Sequence, residues 1–402
     1  MNADRSLLTR RVSRHTVAEV MLRQGPISRA DLAKITGLSK QTMSEVVAEL
    51  EAGGLVAPVG VNRGAVGRTS VTYEIARGAA YSLGVDLGGT KMIAALANLA
   101  GEVVAEQQEA TDPRGGLHVL TQVRRMATSL AASAKVPAER IRSVVLGTPG
   151  VVSPASGAIA LVPNISGLSE IDVGKTLSGL FGFAVSIEND VNLAMLGEAW
   201  QGCAQGCEDA AFLALGTGIG LGLIVNGKLA RGATGAAGEI SYLPIGGDVA
   251  SREALHAGAF ELEVGAQGIV RRYRAAGGAD AATVREVFAR LEAGDAVAAT
   301  VVDETARMLA LAITALYSIV DPQIIVLGGN IGIRPELIER VRREMPAVFA
   351  RPANIVPSTL GNRAALVGAV SSAVNRLHNE LFGVADLPGE LSLPGSLSRA
   401  AE

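Results

Sequence analysis

Residues 81–91 read Tyr81-Ser82-Leu83-Gly84-Val85-Asp86-Leu87-Gly88-Gly89-Thr90-Lys91. The run up to Asp86 has the length and apolar content of a buried strand. Gly88-Gly89 then turns the chain into a second strand, Met92 to Ala97, and a third follows from Glu102. The same layout returns about 130 residues later. Phe212 to Leu215 leads into Gly216-Thr217-Gly218-Ile219-Gly220, then a strand from Leu221 to Val225, an Asn226-Gly227 turn and another strand. Asn-Gly is a strong hairpin signal. Two strand–glycine turn–strand units with helical segments between them predict a duplicated α/β body with a cleft.

Glycine turns of this kind present backbone N–H groups to phosphate oxygens. The first adds Thr90 and Lys91, and the second adds Thr217. Asp86 is placed to hold Mg²⁺ through water. A third turn, Leu327-Gly328-Gly329-Asn330, follows a strand over Gln323 to Val326 and can lie against a nucleotide. Each alone is usually only an ordinary turn; three in order on strand ends are a much stronger sign of a phosphate-binding site. Between the turns lies Glu188-Asn189-Asp190-Val191-Asn192, after a strand over Ala184 to Ile187 and before a helix over Val191 to Trp200. Asp190 reads either as a plain N-cap or as a carboxylate that takes a proton from a hydroxyl. Asn164, in Val162-Pro163-Asn164-Ile165, and Glu239, in Gly238-Glu239-Ile240, suit sugar hydroxyls.

The N-terminal segment has a different pattern. Residues 9–24 read as an amphipathic helix with Val17, Val20 and Met21 on one face, stopped by Gly25-Pro26. Ser28-Arg29-Ala30-Asp31 is a capping box in which the Asp31 carboxylate reaches back to the cap. Leu32 and Ile35 supply the apolar face of the short helix that follows; Gly37 turns and Leu38 plugs the gap. Ser39 caps a helix to about residue 52, with Met43, Val46, Val47 and Leu50 facing the core. This is helix–turn–helix spacing. The second helix would place Lys40, Gln41, Thr42 and Ser44 on base edges or phosphates. Arg63 and Arg68 flank a glycine-containing loop before the alternating strand Val71 to Ile75, which makes a basic wing. The competing reading is a three-helix protein-interaction module.

Composition bounds these readings. Of 402 residues 49% are hydrophobic and 19% charged, which excludes disorder and calls for two or three domains. Aromatic residues are 3%, so an aliphatic core is expected. Two cysteines, Cys203 and Cys207, exclude a disulfide framework and a four-cysteine zinc module. Residues 1–80 hold 11 Lys+Arg against 7 Asp+Glu, and the remainder 25 against 32. A basic head on an acidic body expects only the head to meet a polyanion. The start has no apolar run after its charges, and no stretch reaches the ~18 apolar residues of a membrane span. The expectation is a soluble, cytoplasmic protein without membrane partners.

With these residues assembled, the body resembles the ROK family of sugar kinases and repressors, within the actin-like ATPase superfamily. The head resembles the winged helix of that family's repressors. The resemblance covers about residues 9–383 and rests on DLGGTK at 86–91, PNISG at 163–167, ENDVN at 188–192, LGTGIGLGLIVNG at 215–227, GAAGEISY at 235–242 and LGGN at 327–330. It implies an N-terminal winged helix-turn-helix followed by a two-lobed sugar-kinase fold. The expected boundaries are 1–77 for the DNA-binding domain, 80–195 for the first lobe (completed by a C-terminal helix over 364–383), 196–363 for the second lobe and 384–402 for a tail. It also implies ATP at Asp86, Gly88, Gly89, Thr90, Lys91, Gly216, Thr217, Gly218, Gly328 and Gly329, between the lobes. The sugar would be held by Asn164, Asn189, Asp190, Glu239 and Glu261, with Asp190 as catalytic base.

The sequence departs from the family pattern at its zinc loop. Tyr242 stands where the family has His, and Arg252, Ala254 and Ala259 stand where three cysteines belong. Tetrahedral zinc needs thiolates or imidazoles, so no structural zinc is expected and His256 reads as a surface or core residue. Loss of the His contact leaves ligands other than plain glucose open. The expected function is a sugar-responsive DNA-binding repressor of carbohydrate-utilisation genes, a homodimer or homotetramer on a double-stranded operator. The alternative is a bifunctional regulator that is also an ATP-dependent sugar kinase. A kinase whose head serves protein contacts fits the basic wing least well.

Overall fold

The computed structural model describes residues 2–63, 69–153, 159–160, 165–278 and 281–383. Two units divide the chain, one from residues 1–147, 163–187 and 369–402, the other from 148–162 and 188–368.

The first unit begins with the head. Helix Asn2–Gln24 starts earlier than the sequence pattern indicates and ends at Gly25. Helices Arg29–Thr36 and Lys40–Ala52 follow, joined through Gly37 in the left-handed region at φ 71°. Strands Val56–Arg63 and Thr69–Ile75 pair antiparallel, and Ile27–Ser28 adds a third strand beside Thr69–Ile75. That is winged-helix topology. Ser28 caps as expected, accepting the N–H of Asp31 at 3.2 Å. The Asp31 carboxylate, however, takes the Ser28 hydroxyl at 2.6 Å rather than a backbone N–H. Ile35 is 48% exposed, so the short helix buries Leu32 alone of the two expected apolar residues.

Met43, Val46, Val47 and Leu50 are buried as their spacing requires. They share one core with Val17, Met21, Tyr73 and Ile75, and also with Leu99, Leu377, Leu381 and Phe382. The last three lie on the C-terminal helix Ala364–Phe382. The head thus has no closed core of its own. His378 of that helix is buried and bonds the Leu99 carbonyl through Nε2 at 2.6 Å, with buried His15 close enough to act on its charge.

The five-stranded sheet of this unit runs Ser186–Asn189, Ile141–Thr148, Tyr81–Leu87, Lys91–Asn98, Val103–Ala110. Tyr81–Leu87 pairs antiparallel with Lys91–Asn98 and parallel with Ile141–Thr148. The central strands are buried on both faces and therefore read as continuous Leu, Val and Ala. The edge strand alternates and carries Glu106 to Glu109, which blunts the edge.

The second unit repeats this plan. Its sheet runs Lys228–Leu229, Ile219–Val225, Ala210–Leu215, Ile324–Gly328, Ile355–Pro357. Ala210–Leu215 pairs antiparallel with Ile219–Val225 and parallel with Ile324–Gly328. Numbered within each unit, both sheets have the order 3-2-1-4-5, so the duplication read from the glycine turns extends to topology. Helix Ala296–Ile319 contains the most apolar stretch of the chain and buries it under this sheet, with Val302, Leu309 and Ile313 in the core. Among the described residues no helix is long and apolar enough to cross a membrane. The core is less aliphatic than composition suggests. Tyr273, Phe260 and Phe288 are fully buried in it, because the few aromatics are concentrated on the short helices packed there.

Candidate functional site

The site residues of the second unit gather at strand ends and helix starts. Strand Ser186–Asn189 runs directly into helix Asp190–Gln201. Its N-cap is Asn189, not Asp190. The Asn189 Oδ1 accepts from Val191 N at 2.9 Å and Asn192 N at 3.0 Å, and its Nδ2 donates to the Gly150 carbonyl at 2.9 Å. Both acceptor lone pairs are in use, so Asn189 has one remaining donor hydrogen for a ligand. Asp190 is the first helical residue, and its carboxylate accepts the neighbouring Val191 N–H at 2.9 Å. Burial raises its pKa, against the lowering effect of backbone N–H groups. A carboxylate of raised proton affinity at a helix start is suited to receive a hydroxyl proton.

Glu188 fixes this corner. Its Oε1 accepts from Asn189 N and Asn192 Nδ2, both at 3.0 Å, and its Oε2 accepts from Arg231 Nε at 2.7 Å. Arg231 opens the loop that carries Glu239. Gly238, at φ 95°, lies so close to the strand below that a Cβ would meet the Leu221 carbonyl at 2.0 Å. That contact sets where Glu239 leaves the loop. Burial raises the Glu239 pKa, and the charge of Glu261 raises it further. Glu261, on helix Ala259–Val264, is also raised by burial, while its bond from Ile219 N opposes the shift. Asp190, Glu239 and Glu261 are thus all harder to ionise than free carboxyls. Among the described residues none of the three forms an ion pair with a cation. Such carboxylates accept hydrogen bonds from hydroxyls. Asn164 lies outside the described residues.

Of the phosphate-turn residues, Gly216, Thr217, Gly218, Gly328 and Gly329 belong to this unit. The two turns are brought together: a Cβ on Gly216 would lie 4.0 Å from Asn330 N, and one on Gly329 would meet the Leu215 carbonyl at 2.3 Å. Gly329 has φ 75°, so glycine is required there for two reasons. In the first unit, Gly88 N donates to the Lys91 carbonyl at 2.9 Å and the Thr111 hydroxyl donates to the Gly88 carbonyl at 2.6 Å. That leaves Gly89, Thr90 and Lys91 exposed, with Asp86 part-buried at the end of its strand.

The residues at the family's zinc positions do not fit zinc. Tyr242, Arg252, Ala254 and Ala259 provide neither thiolate nor imidazole, and no cluster of three or more His, Cys, Asp or Glu suited to a metal occurs among the described residues. Other bonds hold the loop. The Tyr242 hydroxyl donates to the His256 carbonyl at 3.1 Å, and Ser251 caps helix Arg252–Ala257 through Ala254 N at 3.1 Å. Cys203 bonds Glu198 at 3.2 Å, and burial pushes its thiol up to about 11, so it is an unreactive packing residue.

On the head, Lys40, Gln41 and Ser44 are exposed and Thr42 is half-buried. Thr42 belongs to the cap: its N–H and hydroxyl both meet Ser39 Oγ, at 3.1 and 2.9 Å. Gln41 Nε2 bonds Glu45 at 3.1 Å, which orients its amide along the helix. The side chain of Arg63 and the whole of Arg68 lie outside the described residues. Sequence reasoning missed Glu188 with Arg231 and the bond from Ile219 N to Glu261. The residues of each pair are about forty positions apart, and no periodicity links them.

The ROK family model matches residues 82–376, and the MarR family model matches residues 8–63. The xylose repressor of Caldicellulosiruptor bescii is 26% identical over 392 residues, covering 92% of this chain and 96% of that one. A ROK family glucokinase from Streptomyces griseus, solved with glucose and AMPPNP, is 26% identical with a TM-score of 0.58, covering 73% of this chain and 99% of that one. A ROK family transcriptional regulator, homolog of the E. coli MLC protein, shares the fold along 93% of this chain and 98% of its own, with a TM-score of 0.75 at 22% identity. From its glycine turns to its C-terminal helix, and with a MarR-type winged helix in front, this chain belongs to the ROK family.

Proposed function

We propose that this protein is a sugar-responsive, DNA-binding transcriptional repressor. Its effector would be held by Asp190, Glu239 and Glu261, with the remaining Asn189 donor and Asn164 completing the set. The observation that carries the reading is the pairing, in one chain, of a winged helix with an exposed reading helix and a ROK body, matched end to end by a protein named as a xylose repressor. That name directs the first effectors to test, aldopentoses beside aldohexoses. Three carboxylates that accept, beside the Asn189 amide that donates, suit the hydroxyls of a sugar.

The head has few cations to offer one DNA half-site. Two heads on a symmetric oligomer would sum their phosphate contacts, so the operator is expected to be palindromic, with half-sites a whole number of helical turns apart. Selecting bound fragments from genomic DNA with the purified protein, then titrating the complex with a sugar panel, tests both halves. Binding to no fragment above non-specific level would end the repressor reading. Release by no sugar would end the effector reading.

A second reading, added kinase activity, is supported by Asp190 alone: its carboxylate has the raised proton affinity and helix-start position of a general base. A coupled assay across the same sugars decides it, and turnover above about 10 s⁻¹, the median for enzymes, would make the protein a kinase first.

A further inference from the structure

The turn Gly216-Thr217-Gly218 is one of the places where this family's nucleotide would rest its phosphates. A glycine turn does this by leaving backbone N–H groups open to an anion. In this chain two of those N–H groups are already engaged within the protein. Gly216 N is spent on the Gly218 carbonyl at 2.9 Å, and Ile219 N is spent on Glu261 Oε2 at 3.0 Å. The Gly216 carbonyl takes Ala266 N at 3.0 Å, which ties the turn to the helix that follows Glu261. The carboxylate also lies directly on the turn: a Cβ on Gly218 would be 2.3 Å from Oε2 and 2.9 Å from Cδ of Glu261. A carboxylate has the sign of charge and the acceptor geometry of a phosphate oxygen. In this arrangement the turn already holds its anion, and a second one would meet both a used donor and a like charge.

We infer that Glu261 is an internal stand-in for phosphate, which keeps a nucleoside triphosphate off the Gly216–Gly218 turn until a sugar draws the carboxylate away. The inference rests on the reading of Glu261 as a sugar ligand and adds an order to it: sugar first, nucleotide second. It also accounts for a turn that looks intact in sequence yet has a carboxylate bonded to Ile219 N and pressed against Gly218.

The test is binding of AMPPNP with Mg²⁺ to the full chain by calorimetry, without sugar, for the native protein, Glu261→Ala and Glu261→Gln. Charge-assisted bonds are the strong ones, so Glu261→Ala should tighten binding about tenfold or more, about 1.4 kcal/mol per tenfold. Glu261→Gln, which can still accept from Ile219 N but carries no charge, should gain less. Equal affinity in all three proteins would overturn the inference. So would failure of all three to bind, since the turn would then be no phosphate seat even when emptied. Circular dichroism and an unfolding midpoint near native check that both variants fold. The two readings fail separately: unchanged sugar affinity in Glu261→Ala ends the reading of Glu261 as a sugar ligand and leaves the sugar-free nucleotide comparison unaffected.

Discussion

Arg231→Ala is the sharpest probe of the site, because Arg231 touches no proposed ligand yet anchors the loop that carries one. Its Nε sits 2.7 Å from Glu188 Oε2. The Glu188 side chain is 12% exposed and that of Arg231 39%. A hydrogen bond to a charged group is worth about 1.5–3 kcal/mol. Solvent screening on the Arg231 side lowers this to about 1–2 kcal/mol, a factor of about 5–30 in an equilibrium. Glu188 keeps its two bonds to Asn189 N and Asn192 Nδ2, so the helix start should hold while the 231–239 loop loosens. The loss should therefore fall on sugar affinity more than on global stability. Trp200, the single tryptophan, lies near the end of the helix that Asp190 begins, and its fluorescence offers a direct titration signal. Arg231→Lys keeps the charge but not the Nε geometry and should recover only part of the loss. A sugar Kd within twofold of native in Arg231→Ala, with a lowered unfolding midpoint, would refute the reasoning and leave the pair a structural brace.

Four further outcomes are expected. Gln41→Ala should relax sequence preference by about 1–3 kcal/mol at one base position, and Lys40→Ala should reduce the salt slope of DNA binding by about 1; gel shifts with unchanged affinity and specificity would remove both from the interface. Burial pulls the His378 pKa from 6.5 down to about 4. The unfolded chain therefore takes up a proton first as pH falls, so stability should drop between about pH 6.5 and pH 4 by roughly 3 kcal/mol. His15, held low by burial against the opposing charge of Glu19, should add to that slope; urea titrations showing the same slope in His378→Leu would place the proton elsewhere. Glu198→Ala strips the acceptor from Ser358, Thr359, Leu360 N and Cys203 N around a fully buried carboxylate, and should cost about 3 kcal/mol or more in denaturant unfolding; a loss under about 1 kcal/mol would mean that water replaces it. Elemental analysis after dialysis should find no stoichiometric zinc, and one zinc per chain would show that the 246–258 loop is wrongly aligned to the zinc loop.

The fold was legible where one local rule dominates. Gly37, Ser28 and Ser39 announce the helix–turn–helix because caps and left-handed turns are chosen by residue type within four positions. The repeated glycine turns announce the two sheets for the same reason. Side chains that act across the chain were not legible. Nothing at Leu377, Leu381 or Phe382 says that they complete the core of a head more than three hundred residues earlier. Ile35 has the spacing of a core residue and stays exposed, because an eight-residue helix turns only one narrow stripe inward. Asp190 looks like a cap, and the cap is the residue before it. Both Asn and Asp can cap, and only the backbone angles, extended at Asn189 with φ −65° and ψ 141°, decide between them.

Those same contacts change what an intact motif means. Read as sequence, the glycine turns and the ENDVN corner suggest retained phosphoryl-transfer machinery. In the structure most of these residues have work to do without any ligand. Asn189 holds a helix start with both lone pairs of its oxygen. Gly329 closes against the Leu215 carbonyl, and Gly218 is pressed by the Glu261 carboxylate. At Gly329, any side chain would need the backbone to move by about an ångström at a sheet end, a change of the kind that costs about 1–3 kcal/mol in a close-packed interior. A repressor that had lost all kinase activity would therefore still need these residues to fold. Asp190 is different. Its carboxylate is desolvated and bonded to the local backbone, which costs stability and serves no visible packing purpose. Its retention is the feature that folding does not explain, so the case for a ligand at this corner rests on Asp190 rather than on the completeness of the motifs around it.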